Sequence, residues 1–427
     1  MDKQRVVITG IGVVAPNAIG IEEFEMALRQ GKSGIKHYAE SEELNFRCQI
    51  GGQPELSPDK MSEHLPPFYI EKINNKGILY GCMAGIEACK NAGIEINSQI
   101  RNPDLGIIFG SGALGLDSYA GWILETINSG NNRKLGSRII PQCMNSGAAA
   151  YLNQLIGAGY VVQSNSSACI TGSEAVLHGY ELISNGKVSQ MICGSTEGDG
   201  RYIWAAFDAM RVLVSDSNDN PEFGSRPMSF NSGGFVPSGG SGALVMETLE
   251  SAKKRGATIY AEILGGAQNC GGMREGGTMT APNSAALVEC IENTLDNAAI
   301  SSSEIDLISG HLTSTKADPL EIENWKKALK LSGDQMPLIN TPKSMIGHCI
   351  AGAGSIESVA CVLQLHKSFI HKNINLSEET IHPEIKSILP TEKIVLETKE
   401  QEVKTIIKAN FGFGDLNCCL VFRKHEE

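Results

Sequence analysis

The sequence predicts an α/β protein with buried sheets, and three observations predict it. Short β-branched apolar runs such as "RVVITGIGVV" alternate with segments of helical apolar spacing along most of the chain. The 47 glycines and 16 prolines are spread throughout, which implies many tight turns rather than a disordered tail. With 427 residues the chain is too long for one ordinary core, so two domains or one duplicated unit are expected.

In order along the chain, "RVVITGIGVV" reads as a buried strand ending in a glycine turn, and "IEEFEMALRQGKSGI" as a helix that stops at Gly31. "PPFYIEKINNKGILYGCMAGIEACKNAGI" reads as one longer helical region. "DLGIIFGSGALG" is a strand entering a glycine loop, and "SQMICGST" and "GALVMETLE" are further strands. A second set begins near residue 257. It comprises strand "TIYAEILGGA", helix "SAALVECIENTLDNAAI", strands "IDLISGHLTST" and "PLINT", helix "GSIESVACVLQLHKS", and closing strands "VKTIIKANFGFG" and "NCCLVFRK". The two sets have similar element content without a fixed-period repeat, which suggests a structural duplication.

Composition narrows the function. The chain is 41% hydrophobic and 20% charged, a soluble globular composition, and no apolar run reaches the roughly 18 residues that span a bilayer. The N-terminus enters a strand without a basic-then-apolar leader, so no signal peptide is expected. A formal net charge of −12 argues against nonspecific nucleic-acid binding. None of the 12 cysteines forms a CxxC pair, so a metal site is not expected, and reduced thiols in the cytoplasm are. The G-x-G of "VVITGIGVV" lacks the third glycine of a dinucleotide fingerprint and reads as a plain turn.

Four stretches place reactive or polar groups at strand ends or glycine loops, where open α/β sheets form ligand crevices. They are "SSACITG" around Cys169, "SGHLTSTKADPLE" around His311, "NTPKSMIGHCIAGAGS" around Lys343 and His348, and "NFGFGDLN" around Phe413. Cys169 sits at a turn before a predicted helix. The partial positive charge and free N–H donors of a helix N-terminus lower a thiol pKa and favour thiolate. A thiolate can take an acyl group from a thioester, and neutral imidazoles can donate to a developing enolate. Backbone amides at Cys169 and in the "FGFG" turn would form an oxyanion hole.

These motifs, with "RPMSFNSGGFV", resemble those of the elongating β-ketoacyl-acyl carrier protein synthases, the thiolase-fold ketosynthases of type II fatty acid and polyketide systems. The resemblance runs nearly end to end. It implies duplicated halves in a five-layered αβαβα arrangement, with residues 1–252 carrying the nucleophile and 253–427 the His and Lys motifs. Cys169 would be acylated by an acyl thioester on carrier protein. His311 and His348 would hold malonyl thioester and stabilise its enolate after loss of CO2. Lys343 would organise the site, paired with Glu321, and Phe413 would gate it. Thr313 and Thr315 would contact the pantetheine arm, and Ala113 would line the acyl pocket. No cofactor is implied beyond the phosphopantetheine of the carrier, and the partners implied are acyl carrier protein and a second subunit, identical or ketosynthase-like.

Several positions depart from the family pattern. "HLTSTKAD" is one residue short and has Leu312 after the histidine, "FVPSGGSGA" lacks an acidic residue, and Ala113 replaces a bulkier aliphatic. Asp415 replaces a glycine in the gating loop and should stiffen it. The fatty-acid substrate and that of a specialised polyketide or polyene pathway both stay open. So do two alternatives, a non-catalytic chain-length partner, against which Cys169 argues, and a degradative thiolase, against which "KSMIGH" argues. Docking an acidic carrier on an acidic chain needs a local basic patch. Candidates are Arg133 and Lys134 in "NNRKLGSR", Lys72 and Lys76 on one helix face, and Arg211 in "FDAMRVL".

Overall fold

In the computed structural model, which describes residues 3–426, the main strands form one 11-stranded sheet. The first half contributes β1 (Val6–Ala15), β2 (Leu105–Ser111), β3 (Val162–Gln163), β4 (Gln190–Glu197) and β5 (Gly240–Thr248). The second contributes β6 (Ala261–Cys270), β7 (Leu307–Ser309), β8 (Leu338–Asn340), β9 (Thr405–Gly412) and β10 (Leu416–Arg423). The remaining strand, Ala18–Ile19, folds back on β1.

Outward from the seam the first half runs β1-β5-β4-β2-β3 and the second β6-β10-β9-β7-β8. In both halves the first two pairings are antiparallel and the next two parallel. The duplication suggested by element content is therefore explicit in the topology. At the seam β1 and β6 pair antiparallel, Val6 with Ile263 and Ile8 with Ala261.

Six helices complete the layers. Helices α1 (Lys76–Ala92) and α2 (Gly147–Ile156) cover the outer face of the first half-sheet. Helices α4 (Ser284–Ala298) and α5 (Asp318–Leu329) pack together on the outer side of the second, α4 directly against β6 and β10. Between the two half-sheets lie α3 (Thr171–Ser184) and α6 (Ala353–Lys367).

The five layers enclose three apolar cores, and strand residues alternate between them. On β4, Met191 and Cys193 enter the middle core while Ile192 enters the outer one. On β10, Cys418, Leu420 and Phe422 face the middle core and Cys419 and Val421 the outer core of the second half. A strand buried on both faces has no polar side, which is why these segments read as unbroken apolar runs. It also sends the adjacent Cys418 and Cys419 to opposite sides of the sheet.

Two expectations are corrected here. The G-x-G is not a turn. Gly10 and Gly12 lie inside β1, and a Cβ there would come within 2.2 Å of the Ala88 oxygen and 2.0 Å of the Ala84 oxygen, so they let α1 approach the strand. The long helical region breaks in two, Pro67–Lys72 and α1, because Asn75 caps α1 by accepting from the Ile78 N–H at 3.2 Å. Lys72 and Lys76 thus end one helix and begin another rather than sharing a face, and Lys76 lies 3.0 Å from Asp199.

Candidate active site

Helices α3 and α6 hold equivalent places, each between the third and fourth strands of its half. Each is preceded by one 3-10 turn, Ala168–Ile170 and Ile350–Gly352, and the first residue of each turn, Ala168 and Ile350, has φ 48. Such left-handed backbone at non-glycine residues is strained and is kept where the surroundings fix it. Cys169 and Ala351 therefore occupy the same position in the two repeats, and His348 lies just before the second turn. Duplication brings the two turns together at the middle of the molecule.

The Cys169 sulfur and the nearest ring nitrogens of His311 and His348 all lie within 4.8 Å of one another, and all three residues are buried. His348 Nε2 is 3.1 Å from Cys169 Sγ, and its Nδ1 accepts the Ile350 N–H at 3.2 Å, which leaves Nε2 as the protonated nitrogen of the neutral ring. The N–H groups of Phe413 and of Cys169 itself are directed at the sulfur. These donors and Lys343 favour thiolate, but burial outweighs them and pushes the Cys169 thiol up to about 11. The expected lowering by the helix start is corrected: the resting group is a thiol. Burial first, then the charge of Lys343, holds both histidines well below the usual imidazole value, so both are neutral donors. A thiol and two imidazoles within 4.8 Å of one another are also a donor set that a zinc ion accepts.

The predicted Lys343–Glu321 pair does not form. Lys343 Nζ pairs with Glu357 of α6, both fully buried. Glu321 instead accepts the backbone N–H groups of His311 at 2.7 Å and Leu312 at 2.8 Å, fixing the strand end that carries the histidine. Burial and the nearby Asp318 raise Glu321 to about 7. Asp318 gathers the N–H groups of Thr313 (3.0 Å), Ser314 (3.2 Å) and Met228 (2.8 Å). The shortened loop is thus closed around one carboxylate.

A cavity of about 470 Å³ leads to the cluster. Cys169, His311, His348 and Phe413 line it, and Thr313 and Thr315, with hydroxyls 3.0 Å apart, form part of its wall. Arg211, held at φ 60, lines it too, as does Lys316, which the sequence reading passed over. Ala113 does not line this cavity; its N–H donates to the Glu197 carboxylate at 3.2 Å. Arg133 and Lys134 are exposed on a single turn, Asn132–Leu135, away from the cavity lining. Asp415 adopts φ 61, and its carboxylate accepts the N–H groups of Met273 at 3.0 Å and Asn283 at 2.8 Å. It ties the Phe413 loop to the segment 271–283, whose Thr280 and Pro282 also line the cavity.

Three cluster residues escaped the sequence reading: Glu357, Lys408 and Asn410. Their signal was present as single polar residues inside apolar runs, "SIESVACVLQL" and "TIIKANF", where a charge seldom stays buried without a partner.

A thiolase-like fold that buries a thiol beside two neutral imidazoles and backbone donors defines a class, the acyl-transferring condensing enzymes. The chain belongs to the β-ketoacyl synthase family: residues 3–252 match its N-terminal domain and residues 260–377 its C-terminal domain. It is 34% identical to a 3-oxoacyl-acyl-carrier-protein synthase 1 of Buchnera aphidicola, covering 99% of this chain and 100% of the relative. The Escherichia coli protein of the same name is 30% identical, with 99% of each chain covered. Among solved structures, a ketosynthase complex described as a type II PKS acyl-carrier protein with its ketosynthase bound to the hexaketide superposes with TM-score 0.87 at 28% identity, over 99% of this chain and 100% of that one. A β-ketoacyl synthase from Burkholderia phymatum gives TM-score 0.86 at 25% identity, with the same coverage.

Proposed function

We propose that this cavity performs decarboxylative condensation of an acyl group with malonyl-acyl carrier protein. The observation that carries the reading is the gathering of Cys169, His311 and His348 at one cavity end, with the Phe413 N–H on the sulfur. Cys169 sulfur attacks the acyl thioester, and the carrier thiol leaves with the proton. Malonyl carrier then binds with its thioester oxygen between His311 and His348. The C–C bond to the carboxylate breaks, CO2 departs, and the electron pair becomes an enolate stabilised by the two imidazole N–H groups. The enolate carbon attacks acyl-Cys169. The N–H groups of Cys169 and Phe413 hold the tetrahedral oxygen, and collapse expels the Cys169 thiolate, which takes a proton from solvent water. The product is β-ketoacyl carrier protein.

In this reading Thr313 and Thr315 hold the phosphopantetheine arm, and no other cofactor is needed. Lys343 with Glu357 sets the charge of the site, and residues 1–252 and 253–427 act as the two functional halves. Arg133, Lys134 and Arg211, with Lys72 and Lys76 as separate contributors, dock the acidic carrier. The enzyme works in the cytoplasm as a dimer with itself or a ketosynthase-like subunit. Among the described residues no helix is long and apolar enough to cross a membrane. The pathway is fatty acid or specialised type II polyketide synthesis. Intact mass after mixing with acyl carrier proteins of several chain types tests this: an acyl adduct on Cys169, followed by a β-ketoacyl carrier on adding malonyl carrier, is expected. Absence of both with every chain type would overturn it.

A further inference from the structure

Lys408 and Asn410 lie two apart on β9, so both side chains face the middle layer. Both are fully buried, and neither takes part in the condensation as written above. Together with Glu357 and Ser173 they form a closed polar network. Glu357 Oε1 pairs with Lys343, while its Oε2 accepts from Asn410 Nδ2 at 2.8 Å and lies 3.4 Å from Lys408 Nζ. Lys408 Nζ also donates to Ser173 Oγ at 2.9 Å and to Asn410 Oδ1, and Ser173 Oγ donates to that same oxygen at 2.5 Å.

This arrangement leaves the Asn410 amide one orientation. A lysine ammonium has only donors, so the amide atom against Lys408 must be the oxygen; a carboxylate has only acceptors, so the atom against Glu357 must be the nitrogen. Rotating the amide by half a turn would put N–H against N–H and oxygen against carboxylate, both unpaired in a buried site. The amide nitrogen has a second hydrogen, and it faces His311 Nδ1 at 3.4 Å. Only an unprotonated Nδ1 can receive it. The proton of the neutral imidazole must then sit on Nε2.

We propose that Asn410, oriented by Lys408 and Glu357, is a positioning residue that holds His311 as its Nε2–H tautomer. Substrate oxygen needs a donor from that ring. This rests on the functional reading only for that last step; the tautomer follows from the network alone. The backbone N–H of Ile350 does the same for His348, so two different devices give both rings the same tautomer. Ser173, on the first turn of the nucleophile's own helix, joins the thiol side to the His311 side through Asn410.

The test uses the full-length protein labelled with 15N-histidine, with the His311 signal assigned by its loss in His311→Asn. The wild type should show His311 protonated at Nε2 and bare at Nδ1; a proton on Nδ1 would overturn the proposal without any variant. Asn410→Asp replaces the donor by an acceptor and should move the proton to Nδ1. It should lower malonyl decarboxylation by at least ~10²-fold while acyl loading of Cys169 changes less than about threefold. Asn410→Leu, close in volume and without charge, covers the case in which the aspartate fails to fold, and should give a mixed tautomer with decarboxylation lowered only in proportion to the Nε2–H fraction lost, about twofold for an even mixture, and acyl loading unchanged. Equal loss of loading and decarboxylation, or an unchanged tautomer in a folded variant, would overturn the assignment. Should the wild type leave malonyl carrier intact, the functional reading falls while the 15N measurement still decides the tautomer.

Discussion

Gly172 and Gly354 meet where α3 crosses α6, each pressed against the other helix. A Cβ on Gly172 would lie 2.3 Å from the Ser355 nitrogen, and one on Gly354 would lie 2.5 Å from the Ser173 nitrogen. They are the same position in the two repeats, the second residue of each central helix. Their contact sets the distance between the thiol turn and the His348 turn. Gly354→Ala should therefore cost about 1–3 kcal/mol in denaturant unfolding, as overpacking does. Cys169 loading should slow more than the stability loss explains, because the crossing separates the two turns. Unchanged stability would show that the helices can yield.

Burial holds the Cys169 thiol up to about 11 in the resting site. Because thiolate is the reactive form, alkylation by iodoacetamide should be slow near neutrality and rise tenfold per pH unit up to about pH 10. A plateau reached below about pH 8 would mean that the helix start and N–H donors outweigh burial after all. Cys169→Ala should abolish covalent loading with the fold intact.

His311 and His348 are kept below the ordinary imidazole value, so neither gains a proton on acidification through about pH 6.5. Decarboxylation of malonyl carrier should not show the loss with falling pH that an ordinary histidine would cause at that point. His311→Ala or His348→Ala should each reduce decarboxylation by about 10²–10³-fold, the scale of one lost oxyanion donor. An imidazole titration seen by NMR near 6.5 at either residue would contradict this.

Asp415→Gly would release the two N–H groups that Asp415 now holds, those of Met273 and Asn283. Glycine suits φ 61 but leaves the buried Asn283 N–H unpaired, so global stability should fall by about 1–3 kcal/mol. Hydrogen exchange in residues 271–283 and around Phe413 should rise together. Exchange rising in one segment alone would show that they move independently.

Charge reversal at Arg133 and Lys134 should weaken loading from acyl carrier protein strongly and leave loading from a small acyl-pantetheine mimic nearly intact. The wild-type rate with carrier should fall with salt, with a screening length of roughly 8–10 Å near physiological ionic strength. Equal slowing of both substrates would place the docking surface elsewhere.

Periodicity and glycine turns made most elements legible before any coordinates. The helix Ile21–Gln30 ends before Gly31, as its capping glycine implies, and β10 spans the "NCCLVF" run. Local pattern failed where a distant element decides the outcome. Gly10 and Gly12 looked like a turn because nothing near them in sequence reveals α1 above the strand. The grouping of Cys169, His311 and His348 was legible because each sits in a distinctive local motif. The Lys343 partner was not, because two acids, Glu321 and Glu357, lie within reach along the sequence and only the packing of α6 selects between them. Lys408 and Asn410 were legible only as polar residues in an apolar run, which gives their position but not the groups that meet them across the middle layer.

The seam and the closing strand have a consequence for how the chain is made. β1 precedes the other strands of the sheet yet gains its long neighbours only when β5 and β6 appear, and β6 in turn waits for β10, the last of these strands in chain order. Cys169 leaves the ribosome roughly 240 residues ahead of Phe413, an interval on the order of 10–50 seconds at ~5–20 residues per second. Throughout it the thiol lacks the Phe413 N–H, and the His311 ring lacks Asn410. A chain at that stage thus carries an unassembled site. It also bears an open edge on β6 with apolar surface on both faces, the kind of edge that invites pairing with another chain. Completion of the site and closure of that edge arrive together with β9 and β10.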